Sequence, residues 1–125
     1  MKWWILTIVL TLGLFLLVKD NFVGVTGGPE HTRNGVRLQM KNIEMGLTSY
    51  RLYTGKYPNK LEDMLVNPGI EGWKKCIRGD KLPKDAWNNN FVYRKNGNDF
   101  TLISYGADGQ PGGEDMDTDI ILESR

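Results

Sequence analysis

Two hydrophobic rhythms run through the chain from residue 33 onward. Val36, Met40, Ile43, Leu47 and Tyr50 recur at steps of four, three, four and three, which draws one apolar stripe along a helix. Arg33, Arg37, Lys41 and Glu44 fall on its other faces. Gly55 is placed to cap the C-terminus and Pro58 forbids continuation, so a helix is predicted over residues 33–54. A short second helix fits residues 61–66, between Pro58 and Pro68. Residues 67–90, rich in Gly, Pro, Asn and charge, read as loop. "FVYRK" and "DFTLISY" then predict two strands joined through Asn96-Gly97, a strong hairpin signal, and "DIILE" a third. The pattern is α+β: one long helix laid by its stripe on a small antiparallel C-terminal sheet. Trp87, Phe91, Tyr93, Phe100 and Leu102 are expected to meet Val36, Met40, Ile43 and Leu47 in the core.

The front of the chain follows neither rhythm. Residues 3–18 are apolar apart from Thr7, Thr11 and Gly13, with Lys2 ahead and Lys19-Asp20 behind. As a helix the run spans roughly 24 Å, a little short of the ~30 Å hydrocarbon core. Local thinning and snorkelling of Lys2 and Lys19 cover that shortfall. Trp3 and Trp4 suit a membrane interface. A cleaved signal peptide is the rival reading, but Leu16-Leu17-Val18-Lys19 offers bulky residues where the peptidase needs small ones. Residues 1–20 therefore read as an uncleaved single-pass anchor. Lys2 on the short side places the N-terminus in the cytoplasm and the remaining chain outside. Residues 21–32, with Gly24, Gly27, Gly28 and Pro29, read as a break. Residues 33–125 read as one head domain.

Charge sharpens this picture. The 125 residues carry a net charge of only +1, but bases outnumber acids over residues 33–60 and residues 108–123 are purely acidic. That asymmetry offers a way to pair neighbouring copies, basic stem against acidic loop. No basic stripe with interleaved aromatics appears, which argues against nucleic acid. Cys76 is the sole cysteine, so no internal disulfide forms; it reads as a half-buried small apolar residue, with a crosslink between chains as the sharper alternative. The sole histidine, His31, lies in the break beside Glu30. No Walker loop, zinc spacing or G-x-S-x-G elbow is present. Carboxylates gather only where the backbone is too glycine-rich to hold a general acid rigidly. The chain is not read as an enzyme.

The carboxylates gather in "SYGADGQPGGEDMDTDI", residues 104–120. Five of these seventeen residues are acidic, four are glycine and none is basic. A phosphate cradle needs backbone N–H groups facing an anion, and here the loop is itself the anion. Asp115, Asp117 and Asp119 alternate as in an EF-hand, but Ile120 stands at the required glycine. Calcium takes about six to eight oxygens from carboxylates and carbonyls in a flexible shell. Asp108 on one side and the Asp115, Asp117 and Asp119 group on the other fold back toward one point. Zinc is disfavoured for want of sulfur or imidazole. The residues leave a calcium cage and a solvated acidic loop both open.

"YRLYTGKYP" (residues 50–58), "LPKDAW" (residues 82–87) and the acidic segment, in this order, resemble the major pseudopilins of type II secretion systems. The resemblance implies a pilin-like fold and a structural role in a secretion apparatus. It implies copies of itself, other pseudopilins or apparatus proteins as partners, and an inner-membrane anchor with the head in the periplasm. It also implies calcium in the loop. Carried over by position, the ligands are Asp108, Asp115, Asp117, Asp119 and the backbone carbonyl of Tyr105, with Asp117 the best of its group. Ala86 and Asn88 stand where the family has proline and glycine, which is expected to loosen that turn without moving Trp87. The front end departs further. The family's basic leader, its Phe-Thr-Leu start and the glutamate of its apolar helix have no match, and Trp4 lies near the glutamate's position. Two readings stay open: a pseudopilin whose start lies upstream or is never processed, and a non-polymerising membrane-tethered adaptor with the same head.

Overall fold

A computed structural model describes residues 28–124. The expected anchor at residues 1–20, and residues 21–27 of the break, lie outside the described residues. No helix among the described residues is long and apolar enough to cross a membrane.

Helix α1 spans Pro29–Thr54. It starts at Pro29 rather than Arg33, so the last part of the expected break, His31 included, is helical. The reason is local. Proline at the first helical position lacks an N–H that would be unbonded there anyway, and its φ is already helical. Glu30 in the first turn and Arg51 in the last suit the helix dipole. At the other end Gly55 takes the left-handed conformation (φ 79°), and its N–H donates to the Arg51 carbonyl at 2.8 Å. The expected stripe is the buried one: Val36, Met40, Ile43, Leu47 and Tyr50 all face inward.

A 3-10 turn at Leu61–Leu65 replaces the expected short α-helix. Five residues are too few for a stable α-helix, and Asp63 closes the turn by accepting from the backbone N–H groups of Asn59 and Lys60. Leu61 and Met64 drop into the core.

Strands β1 (Val92–Asn96), β2 (Asp99–Ser104) and β3 (Ile120–Glu123) form one antiparallel sheet in the order β1-β2-β3. Asn96 pairs with Asp99, so the two-residue turn is Gly97-Asn98, one place beyond the expected Asn96-Gly97. Of that pair only Gly97 takes a positive φ (59°), the mark of a type II′ turn rather than I′. Register decides this. With period two, Phe100, Leu102 and Ser104 must share a face, and their partners Tyr93, Leu122 and Ile120 join them there. That face packs on the α1 stripe. Phe91, Phe100 and Leu102 are buried as expected, while Trp87 and Tyr93 are half-buried at the core's margin. Tyr57 fills the end of the core, edge-on to Phe100 at 5.0 Å. Among the described residues every buried core residue lies between Val36 and Ile120, so the head carries its own core.

The Tyr93 hydroxyl donates to the Pro58 carbonyl at 2.9 Å, tying β1 to the segment after α1. Burial, with smaller contributions from Tyr57 and Asp63, pushes its phenol up to about 12. A folded value above the ordinary ~10 means the neutral form is favoured in the fold. The stabilisation is whole below pH ~10 and is lost as pH rises through about 12. The head is therefore expected to weaken on that alkaline limb, and Tyr93→Phe to flatten it. Alkaline denaturation read by near-ultraviolet circular dichroism checks this. An unchanged limb in Tyr93→Phe removes the assignment.

Candidate functional site

The acidic loop is held from three directions, beginning with the turn before β1. Asp85 and Ser104 are the buried polar side chains among the described residues. The Asp85 Oδ1 accepts from the backbone N–H groups of Trp87 (3.0 Å) and Asn89 (2.8 Å), and Oδ2 accepts the Ser104 hydroxyl at 2.7 Å. A buried carboxylate is tolerable only when its oxygens are met by donors, and three donors meet these. Asn88 takes φ 67°, a conformation that asparagine adopts more readily than other non-glycine residues. The turn therefore forms with asparagine at this position. From it the Asn89 Nδ2 donates to the Gly106 carbonyl at 3.0 Å, at the entrance of the acidic loop.

The second hold is a close approach of backbones. Asp115–Asp117 form a 3-10 turn entered through Asp115 at φ 49°, and the Ala107 N–H donates to the Met116 carbonyl at 3.0 Å. The Asp117 main chain lies against two glycines. A Cβ at Gly106 would stand 2.6 Å from its carbonyl carbon and oxygen, and one at Gly113 would stand 2.7 Å from its oxygen. Both glycines have positive φ, so side chains are excluded by conformation as well as by space.

Arg33 supplies the third. Its Nη1 donates to the carbonyls of Asp115 (3.1 Å) and Thr118 (3.4 Å). Within one copy, the basic residues of the stem already have partners. Arg33 reaches the chain's own loop, Arg37 pairs with Glu30 and Asn34, and Lys41 with Glu44. Apart from half-buried Glu44 the paired side chains are largely exposed, so these ion pairs contribute about 0–1 kcal/mol each.

The predicted ligand residues all lie on this loop, but their carboxylates are partly engaged in shaping it. The Asp108 Oδ1 accepts from the Gln110 N–H at 2.9 Å and the Asp119 Oδ1 from the Gly112 N–H at 3.0 Å. Asp108 and Asp115 are exposed, whereas Asp117, Asp119 and Tyr105 are half-buried. Asp117 and Asp119 do not share a strand face, because a 3-10 turn holds Asp117 and β3 begins only at Ile120. Among the described residues no three carboxylate, thiol or imidazole side chains converge as a metal cluster. The donor chemistry nonetheless suits a hard cation, since every candidate donor is oxygen. Any such ion would draw on backbone carbonyls as well as side chains.

Asp85, Asn89 and Ser104 were not legible as site residues. Nothing in "LPKDAWNNN" separates a buried aspartate from its exposed neighbours until Ser104 is placed opposite it. Cys76 is half-buried, as its residue type suggested.

A family model described as type II secretion system protein G matches residues 27–123. The chain belongs to that family. It is 34% identical over 119 residues to the type II secretion system core protein G of Xanthomonas campestris, with 93% of this chain and 82% of that protein covered. The core protein G of Pseudomonas aeruginosa is 38% identical over 90 residues, covering 65% of this chain and 63% of that one. That of Vibrio cholerae is 34% identical over 86 residues, covering 62% and 59%. The crystal structure of the major pseudopilin from the type 2 secretion system of enterohaemorrhagic Escherichia coli superposes with a TM-score of 0.55. It covers 74% of this chain and 86% of that one at 24% identity, which makes the fold pilin-like. This protein G family member is thus a pseudopilin component of type II secretion and not an enzyme.

Proposed function

We propose that the chain is a membrane-anchored structural subunit of a type II secretion apparatus whose acidic loop is clamped by calcium. The match to protein G over the whole head carries the first part of the reading. Alignment to the Xanthomonas protein over 93% of the chain reaches well into the apolar front run, which supports residues 3–18 as a single-pass inner-membrane anchor. The head then faces the periplasm, where it meets copies of itself, other pseudopilins and apparatus proteins. Deleting the coding sequence from its host should leave the exported proteins trapped in the periplasm, and supplying the full chain should restore export. Normal export in the deletion strain would overturn the role.

The loop supports the second part. Five carboxylates on one short loop repel each other, and the hydrogen bonds from Asn89, Arg33 and the Ala107 N–H that hold the loop shut all go to main-chain carbonyls rather than to those carboxylates. Calcium would offset that repulsion, drawing on Asp108, Asp115, Asp117, Asp119 and the Tyr105 carbonyl. An ion bound only by the folded head adds RT ln(1 + [L]/Kd), about 2.7 kcal/mol at a hundredfold excess over Kd. Residues 28–125 should melt higher in calcium than in chelator. Magnesium should help less, since it demands a tighter octahedron and keeps its water. Asp108→Ala or Asp117→Ala should remove the calcium-dependent part, and His31→Ala should leave it. No calcium response in both calorimetric titration and melting would return the loop to a solvated or partner-binding role.

A further inference from the structure

The densest run of charge opposite in sign to the acidic loop is on the middle loop. Lys74, Lys75, Arg78, Lys81 and Lys84 are all exposed. The one acid among residues 74–84, Asp80, is taken up by an ion pair with Lys75. Arg78 and Lys81 edge a groove of about 600 Å³ between this loop and the outer flank of α1, with Asn42, Met45, Ser49 and Cys76 also lining it. Asn42 adds hydrogen-bond donors for a carboxylate, whereas the Ser49 hydroxyl donates to the Met45 carbonyl.

The chain's own acidic loop is held away from this groove. On α1, Arg37, Lys41 and Glu44 face the β3 side, while Gln39, Asn42 and Ser49 face the groove. At about 100° per residue these are opposite flanks of one helix. Arg33 holds the acidic loop elsewhere, through the Asp115 and Thr118 carbonyls. Each copy thus presents a basic groove and an acidic projection at separate places, and the two patches are not alike. Such a pair makes a heterologous contact, which extends from copy to copy rather than closing as a symmetric dimer.

We propose that the Arg78–Lys81 groove receives the acidic loop of a second copy, led by the exposed Glu114. The proposal rests on the reading that copies of the chain assemble, and names the surface they use. Calcium in the loop would leave the contact attractive, since two positive charges do not cancel the five carboxylates.

Cys76 makes the contact testable, because it lies in the groove and is the sole cysteine. Burial pushes its thiol up, so the oxidation is catalysed with copper-phenanthroline. In the full chain, in detergent, Glu114→Cys should give a ladder of disulfide-linked dimers, trimers and longer species. Adding Cys76→Ser should abolish the ladder. Adding Arg78→Glu with Lys81→Glu should cut it on the order of tenfold, and about 0.5 M salt should do the same. Both groove residues are exposed, so an unchanged melting temperature is expected and separates lost contact from lost fold. By sedimentation, Glu114→Lys should restore part of the association lost in the Arg78→Glu, Lys81→Glu chain. Association of the wild type, with no crosslink from Cys76 to the thiol introduced by Glu114→Cys, overturns the groove and leaves assembly standing. Absence of any association overturns assembly itself, and the groove with it. If the groove reversal spares the ladder but abolishes binding to vesicles of anionic lipid, the patch belongs to the membrane and the proposal fails.

Discussion

Gly106→Ala is expected to cost the head about 2.5–6.5 kcal/mol, the sum of three contributions. A left-handed φ of 73° costs a residue with a Cβ roughly 1–2 kcal/mol. The new methyl would stand 2.6 Å from the Asp117 carbonyl carbon and oxygen, and backbone has no rotamer through which to retreat. Relief requires the loop to shift, at about 1–3 kcal/mol for an overpacked site. The shift also weakens the Ala107 to Met116 hydrogen bond, worth about 0.5–1.5 kcal/mol. Gly112→Ala is the control. Gly112 also has a positive φ, but a Cβ there meets open space, so only the conformational cost of about 1–2 kcal/mol remains. Urea denaturation of residues 28–125 measures both. Equal losses would show that the Asp117 backbone is not a fixed wall.

Asp85→Ala is expected to be comparably severe, at about 3–5 kcal/mol. It leaves the buried Ser104 hydroxyl and the N–H groups of Trp87 and Asn89 without their acceptor, and each unmet buried donor costs about 1–3 kcal/mol. Asp85→Asn keeps one carbonyl oxygen for the two backbone donors, so its loss should be the smaller. Removing the stranded hydroxyl as well, in Asp85→Ala with Ser104→Ala, should recover about 1 kcal/mol relative to Asp85→Ala alone. Because Asn89 leaves this turn to hold the Gly106 carbonyl, proteolysis of the acidic loop should quicken in Asp85→Ala before the head unfolds globally. Stability within about 0.5 kcal/mol of wild type would mean that Asp85 is solvated and the network is not a support.

The groove proposal gives the acidic loop two roles that differ in salt dependence. The proposed calcium clamp would work inside one copy and persist at ionic strengths that screen contacts between exposed charges. The contact with the groove of a second copy fades under the same conditions. Melting and crosslinking over one salt series therefore separate them.

The periodic parts of the molecule were legible in the residues alone. The step of four and three placed Val36 to Tyr50 on one buried face, and alternation placed Phe100 and Leu102 together, because burial of a helix stripe or a sheet face repeats with the backbone itself. The ends were legible where one residue type dictates a conformation, as at Gly55. Where two turn pairs both serve, as with Asn96-Gly97 and Gly97-Asn98, the turn was settled by strand register, a contact across the sheet. The acidic loop was visible as composition, but not its shape: Asp117 lies between Gly106 and Gly113 only because the loop doubles back on itself, held by Asn89 and Arg33 from elsewhere in the chain. Gly46 follows the same logic. It reads as a weak point in a helix, yet a Cβ there would stand 2.7 Å from the Cys76 carbonyl oxygen, so the loop determines it. Asp85 is the clearest case, since a carboxylate buried against Ser104 and one left in water are written with the same letter. What repeats along the backbone is decided locally. What depends on which donor or wall arrives from elsewhere is decided only when the chain closes on itself.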